Sequence, residues 1–325
     1  MTVRQIHIIA REQAALVDAE AFPPLAPNAI RGRTLTTLIS PGTELAFNYQ
    51  GSAFPTAPGY AAVFLVEEVG SGVTAFRPGD HAFCIGPHRS VQQVSEADAV
   101  RAPENLPPEQ AVITRLAGVT MTTLITTKAR PGDKVLVTGA GPVGYLGAQL
   151  FQTSGYDVYV VDPDERRREI IQAAGAKAVF AEVPVEDPTL AGHVALVLEC
   201  SGHEDAVLAG SRMVRMGGEV VLVGVPWKQC SEQTAHELLH AVFHRYAVLR
   251  SGWEWELPLH TTPQCPHSIY SGFATAMQWI AEGRLAIGEH IHMVNPQDPQ
   301  PVYQSLLQRT APGLFQVFDW SALDQ

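Results

Sequence analysis

The chain has 325 residues, enough for two domains with buried cores. It is 46% hydrophobic and 17% charged, a globular rather than a disordered composition. Its 22 basic and 33 acidic residues leave a formal net charge of −11, which excludes an electrostatic nucleic-acid binder.

Residues 1 to about 105 read as short strands and turns, with strands expected at Gln5–Ala10, Ile30–Leu38, Ala61–Val69 and His81–Ile85. That pattern predicts a small β-barrel-like domain. Pro-Gly-Asp turns at 78–80 and 131–133 each launch a strand and do not constitute a repeat. Pro107 to Thr127 is expected to form one helix leading into the next domain.

Lys134 to Asp162 then carries the clearest signature: an apolar strand, a turn with Gly139, Gly141 and Gly144, a helix, and a second strand ending on an acid. The first glycine permits the tight turn, the second lets backbone approach a pyrophosphate, and the third lets helix pack on strand. Pro142 suits the first helical turn, and Val143, Leu146, Leu150 and Phe151 make one apolar face. Asp162 stands where a carboxylate grips the ribose hydroxyls of NAD and repels a 2′-phosphate, while Arg166, Arg167 and Arg168 offer guanidinium groups nearby. Further strands at Ala178–Phe180, Val194–Glu199, Val220–Gly224 and Ala247–Arg250 complete a doubly wound, mostly parallel sheet. Beyond Pro266, helices at Ile269–Glu282 and Gln300–Gln308 and a strand at Leu314–Phe318 read as a tail returning to the first domain.

Cys84, Cys200, Cys230 and Cys265 are widely spaced and form no C-x-x-C pair, so reduced thiols in a cytoplasmic protein are expected. No stretch is long enough to span a bilayer, and the N-terminal apolar run is too short for a signal peptide. His236-Glu237-Leu238-Leu239-His240 matches the zinc-protease pattern. Its helical phase, with Ala235, Leu238, Leu239, Val242, Phe243 and Tyr246 on an apolar face, makes His236, His240 and His244 a polar stripe instead. Trp253 and Trp255, in SGWEWELPLH, offer flat apolar platforms for a substrate ring, or core and subunit packing.

With Gly42-Thr43-Glu44, the run VEEVGSGVTAFRPGDHAF (Val66 to Phe83) and the GAGPVG turn in this order, the chain resembles the medium-chain dehydrogenase/reductase superfamily, the zinc-type alcohol dehydrogenase-like proteins. The resemblance implies a GroES-like domain (1–107), a Rossmann domain (108–265) and a C-terminal return (266–325), with the active site in the cleft between domains. It also implies a homodimer.

The positions that hold catalytic zinc in that superfamily carry Pro41, Tyr60, Ala61 and Arg115 here, and the cysteine-rich structural lobe is missing. A member without either zinc is therefore expected, with no metal ligands. The candidate catalytic set is Thr43, Glu44, Tyr60, His88 and Arg115. Thr43 starts a proton relay, Tyr60 donates to the reacting oxygen, and His88 is placed on the cleft side for proton transfer. Arg115 holds substrate charge or oxygen, and Glu44 holds Arg115 or a substrate hydroxyl. The candidate cofactor contacts are Gly139, Gly141, Pro142, Val143, Gly144, Asp162, Arg167, Gly202, Gly224 and Val225. The expected activity is NAD-dependent hydride transfer between nicotinamide and a secondary alcohol or ketone of a sugar- or polyol-like small molecule. The alternatives are a zinc-free NAD(P)H-dependent quinone or enone reductase, of a kind that commonly uses NADPH, and a non-catalytic nucleotide sensor or scaffold.

Overall fold

Strand β3 (Ala29–Leu38), rich in β-branched residues, is the spine of the first sheet in a computed structural model that describes residues 3–323. It pairs antiparallel with β4 (Ala62–Val69), β6 (Val91–Ser95) and β15 (Phe315–Asp319). At Gly32 the pairing with β4 shifts register, and a Cβ there would lie 1.7 Å from the Leu65 carbonyl oxygen, so only glycine fits this irregularity. β5 (His81–Cys84) and β7 (Ala99–Arg101) extend one side, and β14 (Ile291–Val294) flanks β15 on the other. A hairpin of β1 (Val3–Ala10) and β2 (Gln13–Ala19) completes the strands of this part; β2, β6 and β7 are additions to the strands expected from sequence.

The tail therefore contributes two strands to the sheet of the N-terminal part, and it also carries helix α8 (Ile269–Ala281). Ile6, Ile8, Ile39, Tyr49, Tyr303, Phe318 and Trp320 share one buried cluster, to which the tail helix α9 (Gln300–Leu307) supplies Tyr303. By compactness, the first unit runs through Arg115 and takes in Phe273–Gly283 and the residues from Ile287 onward. The second is Leu116–Gly272 with Arg284–Ala286. The expected single helix from 107 to 127 is two, α2 (Pro108–Ala111) and α3 (Thr114–Thr126), separated by a turn whose Val112 and Ile113 are fully buried.

The second unit is a six-stranded sheet in the order β10-β9-β8-β11-β12-β13, every pairing parallel. Its strands are β8 (Lys134–Thr138), β9 (Asp157–Val161), β10 (Ala178–Phe180), β11 (Val194–Glu199), β12 (Val214–Leu222) and β13 (Val248–Ser251). All six residues of β11 are buried, as continuous apolar strands covered on both faces require. The crossovers carry α4 (Pro142–Thr153), α5 (Glu165–Ala173), α6 (Glu204–Met213) and α7 (Ala235–Arg245). The strand order reverses between β8 and β11, which puts the ligand-binding crevice at the carboxyl ends of those strands.

Helix α7 carries the polar stripe, with His236, His240 and His244 in line, ring centroids 6.3 and 4.2 Å apart. It begins with a full capping box between Thr234 and Glu237, but its apolar residues do not share one buried face. Ala241 is buried and Leu238 and Val242 are partly buried, whereas Leu239, Phe243 and Tyr246 are exposed beside His236, His240 and His244. Among the described residues no group of three or more His, Cys, Asp or Glu side chains is arranged to hold a metal ion, and no helix is long and apolar enough to cross a membrane.

Candidate active site

The five candidate catalytic residues all fall in the first unit, in two linked layers. The outer layer is made of hydroxyls. Strand β3 ends at Leu38, and the chain passes through Ser40 into the helical turn α1 (Pro41–Thr43), whose first position takes a proline. The Tyr60 hydroxyl donates a short hydrogen bond to Ser40 Oγ and lies 3.4 Å from Thr43 Oγ1. Arg115, only 6% exposed, places its guanidinium carbon 4.6 Å from the centre of the Tyr60 ring and 5.4 Å from that of Phe273. Burial pushes the Tyr60 phenol above the ordinary tyrosine value, opposed by the Arg115 charge and by the hydrogen bonds to Ser40 and Thr43. The phenol is therefore a proton donor at neutral pH.

The inner layer is buried and fully bonded. Glu44 follows α1 and is 1% exposed. One carboxylate oxygen accepts from the Ser40 backbone N–H at 2.8 Å. The other accepts from the Tyr303 hydroxyl at 2.6 Å and lies 3.0 Å from His88 Nε2. His88 Nδ1 meets Thr37 Oγ1 at 2.8 Å, and that oxygen also accepts from Trp320 Nε1 at 2.8 Å. One proton arrangement satisfies every group: Trp320 donates to Thr37, Thr37 to His88 Nδ1, and His88 Nε2–H to Glu44. Burial and the adjacent Glu44 carboxylate push the Tyr303 phenol well up, so it stays a donor.

This geometry corrects two sequence expectations. His88 is 0% exposed with both ring nitrogens engaged, so it does not face a substrate. Glu44 likewise spends its carboxylate on Ser40, His88 and Tyr303. Both residues hold the backbone that carries Ser40 and Thr43. Sequence reasoning missed Ser40, which directly precedes the Pro-Gly-Thr motif, and Thr37, Tyr303 and Trp320, which no local signal marks.

In the second unit, Gly139 has φ +87°, and a Cβ on Gly144 would lie 1.7 Å from the Gly139 carbonyl oxygen, so turn and helix approach as closely as the motif requires. Around Gly141 the space is open: a Cβ there would meet only Arg167 Nη1 within 4 Å, at 3.8 Å. Gly141 caps α4, and Pro142 and Val143 form its first turn, where a proline costs no helical hydrogen bond. Asp162, 2% exposed, accepts from Ala140 N at 2.7 Å and Asp164 N at 2.9 Å, tying the end of β9 to the glycine turn. Arg167 Nη1 stands 3.6 Å from Asp162, whereas Arg168 is engaged with the Asp162 and Pro163 carbonyls.

At the ends of β11 and β12, Gly202 (φ +69°) and Gly224 are in backbone contact: a Cβ on Gly224 would lie 2.3 Å from Gly202 N. Glu199, fully buried, fixes this floor by accepting from Ser201 N at 2.7 Å, Gly202 N at 3.1 Å and Thr138 Oγ1 at 3.3 Å. Its carboxyl is pushed up by burial against these hydrogen bonds. Val225, next to Gly224, is 49% exposed.

The family model described as the glucose dehydrogenase C-terminus matches residues 119–251. L-threonine 3-dehydrogenase of Thermococcus kodakarensis is 37% identical over 141 residues, which are 41% of this chain and 39% of that protein. The chain thus matches less than half the length of this relative. Among solved structures, galactitol-1-phosphate dehydrogenase from Escherichia coli aligns with a TM-score of 0.82 at 15% identity, over 97% of this chain and 99% of that one. A cinnamyl alcohol dehydrogenase from Sorghum bicolor aligns with a TM-score of 0.81 at 17% identity, over 99% and 98%. The fold is that of the medium-chain alcohol dehydrogenases, a GroES-like domain and a Rossmann domain, and the similarities together support that superfamily.

Proposed function

We propose that this protein is an NAD(H)-dependent oxidoreductase that interconverts a secondary alcohol and a ketone on a sugar- or polyol-like molecule, and that it does so without zinc. The observation that carries this reading is the Tyr60 hydroxyl, bonded to Ser40 and near Thr43, under the fixed charge of Arg115. The superfamily's zinc ligands would stand at Pro41, Tyr60, Ala61 and Arg115. A proline, a phenol, a methyl group and a guanidinium do not suit a zinc ion, which takes thiolate, imidazole or carboxylate donors.

Bound nicotinamide dinucleotide supplies a hydride acceptor or donor. The residues that would hold it are the Gly139–Gly144 turn with the N-terminus of α4 for the pyrophosphate, and Asp162 and Arg167 for the adenine ribose. Gly202, Gly224 and Val225 would line the floor at the neighbouring strand ends. Each Asp162 oxygen keeps a lone pair beyond its backbone bond, and the buried carboxylate disfavours a 2′-phosphate, which supports NAD over NADP. In reduction, Tyr60 turns its one O–H from Ser40 to the reacting oxygen and gives up that proton, Ser40 and Thr43 then return a proton from solvent to the phenolate, and Arg115 opposes negative charge growing on the reacting oxygen. Glu44 and His88 keep this set in place.

The supporting experiment is steady-state turnover of a panel of sugars, polyols and ketones with NAD(H) and NADP(H), before and after chelation. NAD-linked turnover untouched by chelator is expected. Activity that requires about one equivalent of zinc, or NADPH-linked reduction of enones with no alcohol turnover, refutes the reading. We further place the protein in the cytoplasm, consistent with four unpaired cysteines, as a homodimer whose subunits meet beside the edge strand β13. Sedimentation as a monomer would overturn the latter.

A further inference from the structure

A single carboxylate sits beneath the turns that follow β11 and β12. Glu199, the last residue of β11, is 0% exposed and serves both turns. Its backbone carbonyl accepts from Val223 N at 2.8 Å and Gly224 N at 2.7 Å. Its Oε1 accepts from Ser201 N, the Ser201 hydroxyl, Gly202 N and Thr138 Oγ1, and Oε2 shares Gly202 N at 3.1 Å. Burial works against a carboxylate here and pushes it up, so these donors, rather than packing, account for an acid at this position.

Capturing those N–H groups fixes which way the turns face. In a trans peptide the N–H and the preceding C=O point in opposite directions. With Ser201 N, Gly202 N and Gly224 N drawn to Glu199, the carbonyls of Cys200, Ser201 and Val223 point away from it, and none of the three accepts from a described residue. Ser201 is exposed, and Cys200, Gly202 and Gly224 are half-buried. A Cβ on Gly202 would lie 2.6 Å from the Val225 carbonyl oxygen, so the two turns are locked against each other. The strand ends thus offer a set of fixed acceptors, which suits a ligand edge rich in O–H and N–H donors. Ribose hydroxyls and a carboxamide NH2 make such an edge. In a doubly wound sheet each half takes one nucleotide, so the half carrying Asp162 would take the adenosine and the half built on β11 and β12 the nicotinamide nucleoside.

We propose that Glu199 is a positioning residue for the nicotinamide half of the dinucleotide: its side chain holds the Cys200–Gly202 turn with the carbonyls toward the ligand. The inference rests on the nucleotide-binding part of the reading above. Without the carboxylate, Ser201 N and Gly202 N lose their acceptor, and the peptide planes turn to bring those N–H groups to solvent, which withdraws the carbonyls from the ligand.

The test is calorimetric titration of the full chain with NAD and with AMP, which occupies the adenosine half alone. Glu199→Ala is expected to bind NAD about tenfold more weakly while AMP affinity stays within about twofold of wild type. Glu199→Gln, which keeps one acceptor oxygen, is expected to weaken NAD about threefold, again with AMP unchanged. NAD affinity equal to wild type in both variants overturns the proposal. AMP affinity that falls in step with NAD overturns it too, because Glu199 would then be part of the framework only. If Glu199→Ala does not fold, Glu199→Gln decides alone by the same comparison. A wild type that does not bind NAD refutes the nucleotide reading itself, and this inference with it, before any variant is made.

Discussion

Removing the Glu44 carboxylate is the most direct perturbation of the first unit. Three donors converge on it: Ser40 N at 2.8 Å, Tyr303 Oη at 2.6 Å and His88 Nε2 at 3.0 Å. Water cannot replace it readily, because Ser40 is 8% exposed and His88 and Tyr303 are 0% exposed. Each buried donor left without an acceptor costs about 1–3 kcal/mol. The three share one cluster and do not add fully, so Glu44→Ala is expected to destabilise this unit by about 4 kcal/mol. Glu44→Gln keeps the shape but turns an amide NH2 toward a donor, and is expected to cost about half as much. A chain with two compact units need not unfold in one step, so the assay is native-state hydrogen exchange read by mass spectrometry on peptides around residues 40–49, 88 and 303. Loss of protection there, with the Rossmann peptides unchanged, is the expected result. An Ala variant within about 1 kcal/mol of wild type would refute the account of Glu44 as the anchor of this layer.

Gly144→Ala is expected to abolish NAD binding by calorimetry and to cost about 3 kcal/mol, because the new methyl meets the Gly139 carbonyl, which is backbone and cannot rotate away. Asp162→Ala is expected to weaken NAD about tenfold and to narrow the preference over NADP, since Arg167 would then stand without its carboxylate neighbour; unchanged selectivity would count against the ribose assignment. In native thiol labelling Cys230, which is exposed, is expected to react, while Cys84, buried with its thiol pushed up to about 12, reacts only after unfolding.

What the sequence revealed divides by range. The glycine turn, the strand that precedes it and the acid that ends the next strand form one contiguous stretch, and local spacing was enough to place them in a parallel sheet. The inner layer of the site was opaque for the opposite reason. Glu44 meets His88 44 residues away and Tyr303 259 residues away, and nothing in the composition of α9 marks Tyr303 as the donor. His88 was visible as a residue type suited to proton transfer, but its burial depends on Thr37, Phe318 and Trp320 packed around it, the Phe318 ring 5.0 Å away. In helix α7 the periodicity shows which residues are apolar, whereas the neighbouring elements decide which of them are covered, so the exposure of Leu239 and Phe243 was not legible.

On the zinc-free reading proposed above, pH acts on the reaction through Tyr60 rather than through a metal-bound alcohol. Zinc would acidify a bound alcohol directly. A guanidinium accepts no proton, and the Tyr60 phenol, raised by burial, keeps its own through neutral pH. As assembled, the set is therefore a proton donor and suits carbonyl reduction. The sign follows: the reductive kcat is expected to stay level across neutral pH and to fall only as pH rises past the ordinary tyrosine value, where the donor is lost. Alcohol oxidation needs the phenolate form and is expected to rise with pH over the same range. Tyr60→Phe should lower reduction by about a hundredfold and remove its alkaline limb, while leaving NAD affinity unchanged. An alkaline limb that survives in Tyr60→Phe would mean that another group supplies the proton.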